Sequence, residues 1–250
     1  MTRPTAVVTG ASSGIGDQLA RQLVARGHDV LLVARDGDRL AALAGDLGGA
    51  AEVLAADLTD AGDLARVEAR AALVDIVVNN AGAGTTGLFS SLPVGGEHAE
   101  VALNVLALVR LTHAALAGMV VRGHGGVLNL GSVASFVPAP GSATYAATKA
   151  FVLSFSQSLH EETRGTGVTV TCLAPGFTRT EFQTRAAYDA ARIPGFLWQD
   201  AEQVAVAGLD GLAAGKALVV PGALNRVLVS GTALLPRPLA RRMSGLLGAH

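Results

Sequence analysis

The sequence is poor in cysteine and in charge, and each scarcity excludes a class of protein. Its single cysteine, Cys172, excludes a disulfide framework and a cysteine-based zinc site. The six histidines show no metal-ligand spacing, so no metal site is predicted. Charged residues make up 16% of the chain and the net charge is −1. The chain therefore lacks the basic field expected of a nucleic-acid-binding protein.

Lysine and tyrosine are also rare. The 250 residues include two Lys (Lys149, Lys216) and two Tyr (Tyr145, Tyr188), whereas there are seventeen Arg. Because both residue types are scarce, the four-residue spacing between Tyr145 and Lys149 is informative. The alternative is an accidental pair on an amphipathic helix.

Half of the residues are hydrophobic, which excludes a disordered chain. The first residues lead into an apolar strand without the pattern of a signal peptide, and we expect a cytoplasmic protein. The long apolar window 101–121 contains Asn104, Arg110 and His113. It is predicted to be a buried helix and not a membrane span.

Short apolar runs alternate with helical patterns along the whole chain. This alternation predicts one α/β domain over residues 1–250, a doubly wound, Rossmann-like fold with a seven-stranded parallel sheet flanked by helices. The predicted strands are 5–9, 29–34, 51–55, 74–79, 126–131, 168–173 and 217–220, and the predicted helices are 14–26, 38–46, 61–72, 97–121 and 143–164. A helical C-terminal tail follows.

A glycine-rich turn joins the first strand to the first helix. Gly10 permits a tight turn, and Gly14 and Gly16 allow the backbone to approach a pyrophosphate at the helix N-terminus. The neighbouring residues predicted to contact the cofactor are Ser12, Ser13 and Ile15. The alternative is a turn that holds no ligand.

The residues that follow the second strand indicate the type of cofactor. Arg35 offers a cation for the 2′-phosphate of NADP, or it is a solvated residue at a helix start. Asp36 caps the next helix or binds a ribose. After the third and fourth strands, Asp57 and Leu58 are placed to contact adenine, and Asn80, Ala81 and Gly82 to lie under the cofactor.

The fifth strand leads to Ser132, thirteen residues before Tyr145. Tyr145 and Lys149 lie one helical turn apart on the same face. A neighbouring ammonium favours the phenolate and lowers the pKa of a tyrosine, so the pair fits acid–base chemistry. Ser132 is placed to donate a hydrogen bond to a carbonyl oxygen.

These features resemble the short-chain dehydrogenase/reductase family over about residues 4–220. The matching segments are Thr9–Gly16, Asp57, Asn79–Gly82, Asn104, Ser132, Tyr145, Lys149 and Pro175–Thr180. The resemblance implies hydride transfer between nicotinamide and a carbonyl or alcohol. It implies that Tyr145 is the general acid or base, that Lys149 lowers its pKa and holds the ribose, and that Ser132 orients the substrate.

The resemblance also implies roles for residues outside this trio. Asn104 would hold a water that links Lys149 to solvent, or it satisfies the backbone inside a helix. Thr180 and the backbone around Phe177 and Thr178, in a loop that begins with Pro175 and Gly176, would hold the carboxamide. Cys172 is predicted to be an inert core thiol.

Aromatic residues concentrate beside the predicted site. Phe136 follows the serine, and Phe182, Phe196 and Trp198 lie in a predicted lid, residues 181–200. They indicate a pocket for a hydrophobic carbonyl or alcohol substrate, or they pack the lid against the domain.

The tail, residues 222–250, carries four Arg and no acid, with an apolar stripe. It packs on its own domain or a partner, serves as a lid, or makes a weak membrane-surface contact. The resemblance also implies a homo-oligomer, dimer or tetramer, through the long helices 97–121 and 143–164.

The leading hypothesis is an NADP(H)-dependent oxidoreductase. The main alternative is a non-catalytic NADP-binding sensor or scaffold with the same fold. A methyltransferase would fit the glycine turn but would leave Ser132, Tyr145 and Lys149 without a role.

Overall fold

The computed structural model describes residues 3–188 and 193–234, and these form an α/β fold around one sheet. All seven strands are parallel, in the order β3-β2-β1-β4-β5-β6-β7. This confirms the predicted Rossmann-like, seven-stranded architecture. The strands are β1 Thr5–Thr9, β2 Asp29–Ala34, β3 Ala51–Ala55, β4 Ile76–Asn79, β5 Gly125–Leu130, β6 Val168–Leu173 and β7 Leu218–Val219.

The helices connect the strands and cover both faces of the sheet. They are α1 Gly14–Ala25, α2 Gly37–Asp46, α3 Ala61–Ala71, α4 Val94–Val101, α5 Leu108–Arg122, α6 Ala143–Glu162, α7 Phe182–Arg185, α8 Ala201–Ala213 and α9 Ala223–Leu234. Each predicted strand and helix is present. Strands β4 and β7 are each two residues shorter than predicted, and β7 has two residues because it pairs only with Cys172 and Leu173 of β6.

The alternation of side chains along β1 explains the two-layer core. Ala6 and Val8 face a cluster built with α1 and α8, whereas Val7 faces a cluster built with α3 and α5. Successive side chains of a strand point to opposite faces, so an uninterrupted apolar strand supplies both cores at once.

The predicted helix 97–121 is part of a longer one. Helices α4 and α5 are joined by a π-helical segment, Ala102–Ala107, into one helix over Val94–Arg122. By length and composition alone this helix could cross a membrane. Its inner residues Leu111, Ala115 and Met119 pack in the sheet core, as expected of a core helix.

The predicted tail begins with a docked helix. In α9, the buried Asn225 donates hydrogen bonds to Gln199 and to the Pro221 carbonyl, at 2.9 and 3.0 Å. Leu224, Val227 and Leu228 are exposed. The rest of the predicted tail, with its prolines and Arg237, Arg241 and Arg242, lies outside the described residues, so the membrane contact stays a prediction.

Sheet order sets the position of the site. Strands β1 to β3 extend the sheet in one direction and β4 to β7 extend it in the other, so the strand order reverses between β1 and β4. At such a switch point the loops after the two strands diverge and leave a crevice. The loops that carry the predicted site residues all leave the carboxyl ends of the strands, so they meet there.

Candidate active site

One cavity of about 720 Å³ lies along the carboxyl ends of the strands. It brings together most residues that the sequence predicts for the site. These are Gly10, Ser12, Ser13, Gly14, Ile15, Arg35, Asp57, Leu58, Asn80, Ala81, Gly82, Ser132, Tyr145, Lys149, Pro175, Gly176, Thr178, Thr180 and Phe182. The cavity therefore joins the predicted nucleotide end to the predicted chemical end.

The glycine turn is as tight as the sequence predicts. Gly10 and Gly14 have positive φ angles of 65° and 59°, which favour glycine. A Cβ atom on Gly10 would lie 2.8 Å from Asn80 Nδ2, and one on Gly14 would lie 2.8 Å from Thr180 Cγ2. Gly16 does not line the cavity; a Cβ atom there would lie 2.2 Å from the Gly10 carbonyl oxygen.

Asn80 fastens the end of β4 to this turn. Its amide Nδ2 donates to the carbonyls of Thr9 and Gly10, at 2.9 and 3.2 Å. The Thr9 hydroxyl in turn accepts from the backbone N–H groups of Asn80 and Ala81, both at 3.0 Å. These bonds connect the two strands at the switch point and hold the turn open toward the cavity.

Two of the charged residues after β2, Asp36 and Arg39, are paired with each other at 3.4 Å and also have further partners. Asp36 caps α2, where its carboxylate accepts from the Arg39 N–H at 3.0 Å, and this confirms the predicted capping role. The Arg39 guanidinium pairs with Glu181 at 2.8 Å. Arg35 is exposed at the cavity wall, and no described residue forms a hydrogen bond or ion pair with its side chain.

Asp57 lies on the same side of the cavity. Its carboxylate accepts hydrogen bonds from the backbone and hydroxyl of Thr59, at 2.9 and 2.7 Å. These bonds hold the pKa of Asp57 below its ordinary value, with help from the positive charge of Arg35. Asp57 is therefore a fixed anion at the wall near Arg35.

The loop after β6 is supported by two residues that sequence reasoning missed. The Gly176 N–H donates to Gln199 Oε1 at 3.1 Å, and Asn225 donates to the same oxygen. A Cβ atom on Gly176 would lie 2.4 Å from Asn225 Nδ2. No sequence motif marks this contact, since Gln199 and Asn225 lie in distant segments.

Tyr145 and Lys149 lie on one face of α6, as their spacing predicts. Lys149 Nζ is 5.8 Å from the centre of the Tyr145 ring and donates to the Leu130 carbonyl at 2.7 Å. Burial lowers the pKa of Lys149 to about 8 and raises the pKa of Tyr145 to about 12. Tyr145 is therefore a protonated phenol at neutral pH.

Ser132 is held at the end of β5 by a short helical turn. Its Oγ accepts from the Ala134 N–H at 3.1 Å, while Ser135 accepts from the Ser132 N–H and donates to the Lys149 carbonyl. The Ser132 hydroxyl lowers the pKa of Tyr145 and so partly offsets the effect of burial. The serine hydroxyl and the phenol therefore converge on one point.

Asn104 lies in the π-helical segment and is buried. Its amide exchanges two hydrogen bonds of 2.9 Å with the backbone of Ala83 and donates to the Thr148 hydroxyl at 3.1 Å. Thr148 bonds the Tyr145 carbonyl. Asn104 thus links the loop after β4 to α6, and its side chain satisfies the backbone as one of its two predicted roles requires.

Two buried acids, Glu97 and Glu100, lie near Tyr145 and Lys149, and the sequence reasoning missed them. Glu97 accepts from the Thr144 hydroxyl, and Glu100 accepts from the Thr85 hydroxyl at 2.8 Å. Burial raises the pKa of Glu100, and the negative charge of Glu97 adds to the rise. The sequence feature that could have identified them is their spacing, because Glu97, Glu100 and Asn104 recur every three or four residues in an apolar helix.

The predicted substrate residues divide into two groups. The Phe182 ring lies 5.4 Å from the Tyr145 ring and lines the cavity. Phe136, Phe196 and Trp198 are not among the residues that line it, and Phe196 is 76% exposed.

Other aromatic residues pack on one another near the lid. Trp198 and Tyr188 contact Phe177, with ring centres 6.1 and 6.0 Å apart, and Arg179 lies over Trp198. Phe177 also does not line the cavity. These contacts match the alternative in which aromatic residues pack the lid against the domain.

The residues present fit a dinucleotide. Gly10 and Gly14 line the cavity and leave a cradle in which a Cβ atom would clash, and Arg35 and the N-terminus of α1 offer positive charge to phosphates. The buried thiol of Cys172 lies in the core as predicted, and burial raises its pKa to about 12. No group of three or more potential metal ligands occurs among the residues that the structure describes.

Comparisons with known proteins agree with this geometry. The family model described as short chain dehydrogenase matches residues 4–190. The NADP-dependent 3-hydroxy acid dehydrogenase YdfG of Salmonella typhi is 39% identical over 187 residues, which cover 71% of this chain and 74% of that protein.

Solved structures show the same likeness over nearly the whole chain. A short-chain dehydrogenase from Sphingobium yanoikuyae, in complex with NADPH, has a TM-score of 0.83 and 37% identity, covering 94% of this chain and 97% of that one. A bulky-bulky ketone specific alcohol dehydrogenase from Comamonas testosteroni has a TM-score of 0.79 and 33% identity, covering 95% and 96%. The chain belongs to the short-chain dehydrogenase/reductase family, whose members use NAD(P)(H).

Proposed function

We propose that this oxidoreductase is NADP(H)-dependent and transfers a hydride between nicotinamide and a carbonyl or secondary alcohol of a hydrophobic substrate. The observation that carries the proposal is one continuous cavity. It has a glycine cradle and Arg35 at one end and Ser132, Tyr145 and Lys149 at the other.

Three side-chain arrangements support a preference for NADP over NAD. Arg35 is exposed at the nucleotide end of the cavity wall, and no described residue forms an ion pair with its guanidinium. Asp36 is occupied by the α2 cap, and Arg39 is occupied by Glu181. A guanidinium free to make a bidentate contact suits a 2′-phosphate.

The protein's own residues carry out the proton transfer, which takes place at the Tyr145 hydroxyl. A bound nicotinamide cofactor supplies the hydride in reduction and accepts it in oxidation. In reduction, Tyr145 donates its proton to the substrate oxygen, and the ammonium of Lys149 stabilises the phenolate that remains. Ser132 Oγ accepts from Ala134, so its own proton is available to hold the substrate oxygen.

The walls around Tyr145 support a hydrophobic substrate. Phe182 and Ala186 line the cavity and lie with Tyr145 around Gly84. A Cβ atom on Gly84 would lie 2.9 Å from the Phe182 ring, so the glycine lets the aromatic ring close against the catalytic tyrosine. Apolar walls bind an apolar substrate and exclude water from the reacting atoms.

Oxidation of NADPH by a panel of aryl and cyclic ketones tests the proposal. We expect turnover with NADPH and a preference over NADH of roughly tenfold to a hundredfold, the value of one charge-assisted phosphate contact. Arg35→Asp should reverse the order, whereas Arg164→Asp, an exposed arginine of another surface, should not. Equal use of both cofactors would refute the preference, and no turnover with any ketone would favour the non-catalytic alternative.

We also propose that the protein is a homo-oligomer. Leu106, Val121 and Phe151 are exposed on the long helix Val94–Arg122 and on α6, and the Phe151 ring stacks on Phe155 at 5.5 Å. Apolar side chains of this size favour a self-complementary interface. Light scattering after gel filtration should give a dimer or tetramer, and Phe151→Glu should shift it toward monomer; a wild-type monomer would contradict the proposal.

A further inference from the structure

Glu100 is a buried acid that the catalytic mechanism leaves without a role. It is 1% exposed, yet it lines the same cavity as Tyr145 and Lys149. Its Oε2 atom accepts from the Thr85 hydroxyl at 2.8 Å. Its Oε1 atom has no hydrogen-bond partner in the described part of the chain. A buried carboxylate oxygen without a donor is costly, so a structure that keeps one has a use for it.

The contacts of the loop after β4 place this carboxylate near the reacting atoms. A Cβ atom on Gly84 would lie 3.2 Å from the Tyr145 ring, and the next residue, Thr85, holds the Glu100 carboxylate. Glu100 and the Tyr145 ring thus contact adjacent residues of this loop, Thr85 and Gly84. The negative charge of Glu100 acts on Tyr145 and on Lys149, consistent with this closeness.

Glu97 provides an internal comparison for Glu100. It lies one turn earlier on the same helix, is 6% exposed, and also has an Oε1 atom without a partner in the described residues. However, Glu97 does not line the cavity and binds Thr144 behind it. Of the two acids, Glu100 is therefore the one that borders the cavity.

We propose that Glu100 is a specificity-determining residue that selects substrates with a hydrogen-bond donor, an ammonium group above all, on the carbon beside the reacting one. The inference rests on the proposed function and narrows its substrate class. The donor fills the vacant site on Oε1, while the apolar part of the substrate lies against Leu103 and Phe182. A cation also compensates the charge of a buried carboxylate, whereas a hydroxyl supplies the hydrogen bond alone.

Three alcohols that differ in one group form the test: 1-phenylethanol, 1-phenylethane-1,2-diol and 2-amino-1-phenylethanol. Each is oxidised in the same way with added NADP: the carbinol C–H bond breaks with its hydride going to the nicotinamide, and the hydroxyl proton goes to Tyr145. The readout is the ratio of kcat/KM for the amino alcohol to that for 1-phenylethanol. We expect a ratio of at least about ten for the wild type, with the diol between them.

Glu100→Gln keeps an oxygen for Thr85 but removes the charge, and it should bring the ratio close to one. Glu97→Gln, the matched removal of a buried charge one turn away, should retain the wild-type ratio whatever it does to the rate. Glu100→Leu should make kcat/KM higher for 1-phenylethanol than for the amino alcohol. It serves as the second variant because an apolar side chain replaces a buried charge.

Three results would overturn the proposal: a wild-type ratio near one, an unchanged ratio in Glu100→Gln, or an equal loss of the ratio in Glu97→Gln. If none of the alcohols or the matching ketones is turned over, the proposed function fails, and binding decides the inference separately. Titration calorimetry of 2-amino-1-phenylethanol into NADP-saturated protein should then show about tenfold weaker binding to Glu100→Gln than to the wild type. Equal binding would overturn it.

Discussion

The two ends of the cavity are built by different means. At the nucleotide end, glycines without side chains and an exposed arginine shape the wall. At the chemical end, Tyr145, Lys149 and Glu100 bring three ionisable groups into a largely buried region. The first end therefore depends on space and backbone N–H groups, whereas the second depends on how burial and neighbouring charges balance.

The pKa values show what this difference means for the chemistry. Burial moves the pKa of Tyr145 up to about 12 and the pKa of Lys149 down to about 8, so both shifts favour the neutral forms. A cationic cofactor ring and an ordered substrate would act against these shifts. Substitutions at the chemical end should therefore act through charge, and those at the nucleotide end through side-chain volume.

The largest effect should come from Tyr145→Phe. The variant loses the proton donor but keeps the aromatic ring against Phe182, so we expect kcat to fall roughly a thousandfold while NADPH still binds. Steady-state kinetics and NADPH fluorescence titration measure the two properties separately. Substantial turnover in the variant would exclude Tyr145 as the acid.

The pH dependence should differ between the two directions of reaction. Alcohol oxidation needs the Tyr145 phenolate, which is the minor form below a pKa of about 12. Its kcat/KM should rise about tenfold per pH unit between about pH 6 and pH 8. Ketone reduction uses the protonated phenol and should stay level over this range.

Above a pH of about 8, the slope of the oxidation profile should decrease, because Lys149 then loses the charge that stabilises the phenolate. Initial rates in both directions, in buffers of constant ionic strength, check the profile. An oxidation rate independent of pH would contradict the assignment.

Gly14→Ala should act mainly on cofactor binding. The added methyl would lie 2.8 Å from Thr180 Cγ2 at a φ of 59°, and NADPH affinity should fall about tenfold or more. Gly27→Ala is the matched control: its φ is also positive, at 90°, but nothing lies within 4 Å. Both variants should lower Tm. If Gly27→Ala also bound NADPH more weakly, backbone strain and not the clash with Thr180 would explain the lower affinity.

The smallest effect should come from Arg39→Ala. This residue joins α2 to the predicted lid through Glu181, and both partners are nearly half exposed. An exposed ion pair contributes little, so KM for NADPH should rise by about threefold or less. The change should disappear in high salt, because salt screens exposed charges. A larger, salt-independent change would mean that Arg39 itself contacts the cofactor.

Much of the fold and about half of the site could be predicted because the signals are local. The Tyr145–Lys149 pair needs only the pitch of one helix, and the Gly10–Gly16 turn needs only one strand end. Among the predicted substrate residues, Phe182 lines the cavity but Phe196 does not. The sequence could not distinguish the two, because composition does not give the direction of a side chain in a loop. The same limit concealed Gln199 and Asn225, which meet from segments 26 residues apart.

The sequence by itself determined the order of strands and helices along the chain, the glycine turn and the placement of Tyr145 and Lys149 on one helix face. The reason is that periodicity and short spacings are properties of single elements. Only the tertiary structure decided that Glu97 and Glu100 are buried beside Tyr145 and that Arg39 is paired with Glu181. Whether an acid is a solvated surface group or a charged wall of the active site depends on which distant elements pack against it, and that packing sets its solvation and its neighbours.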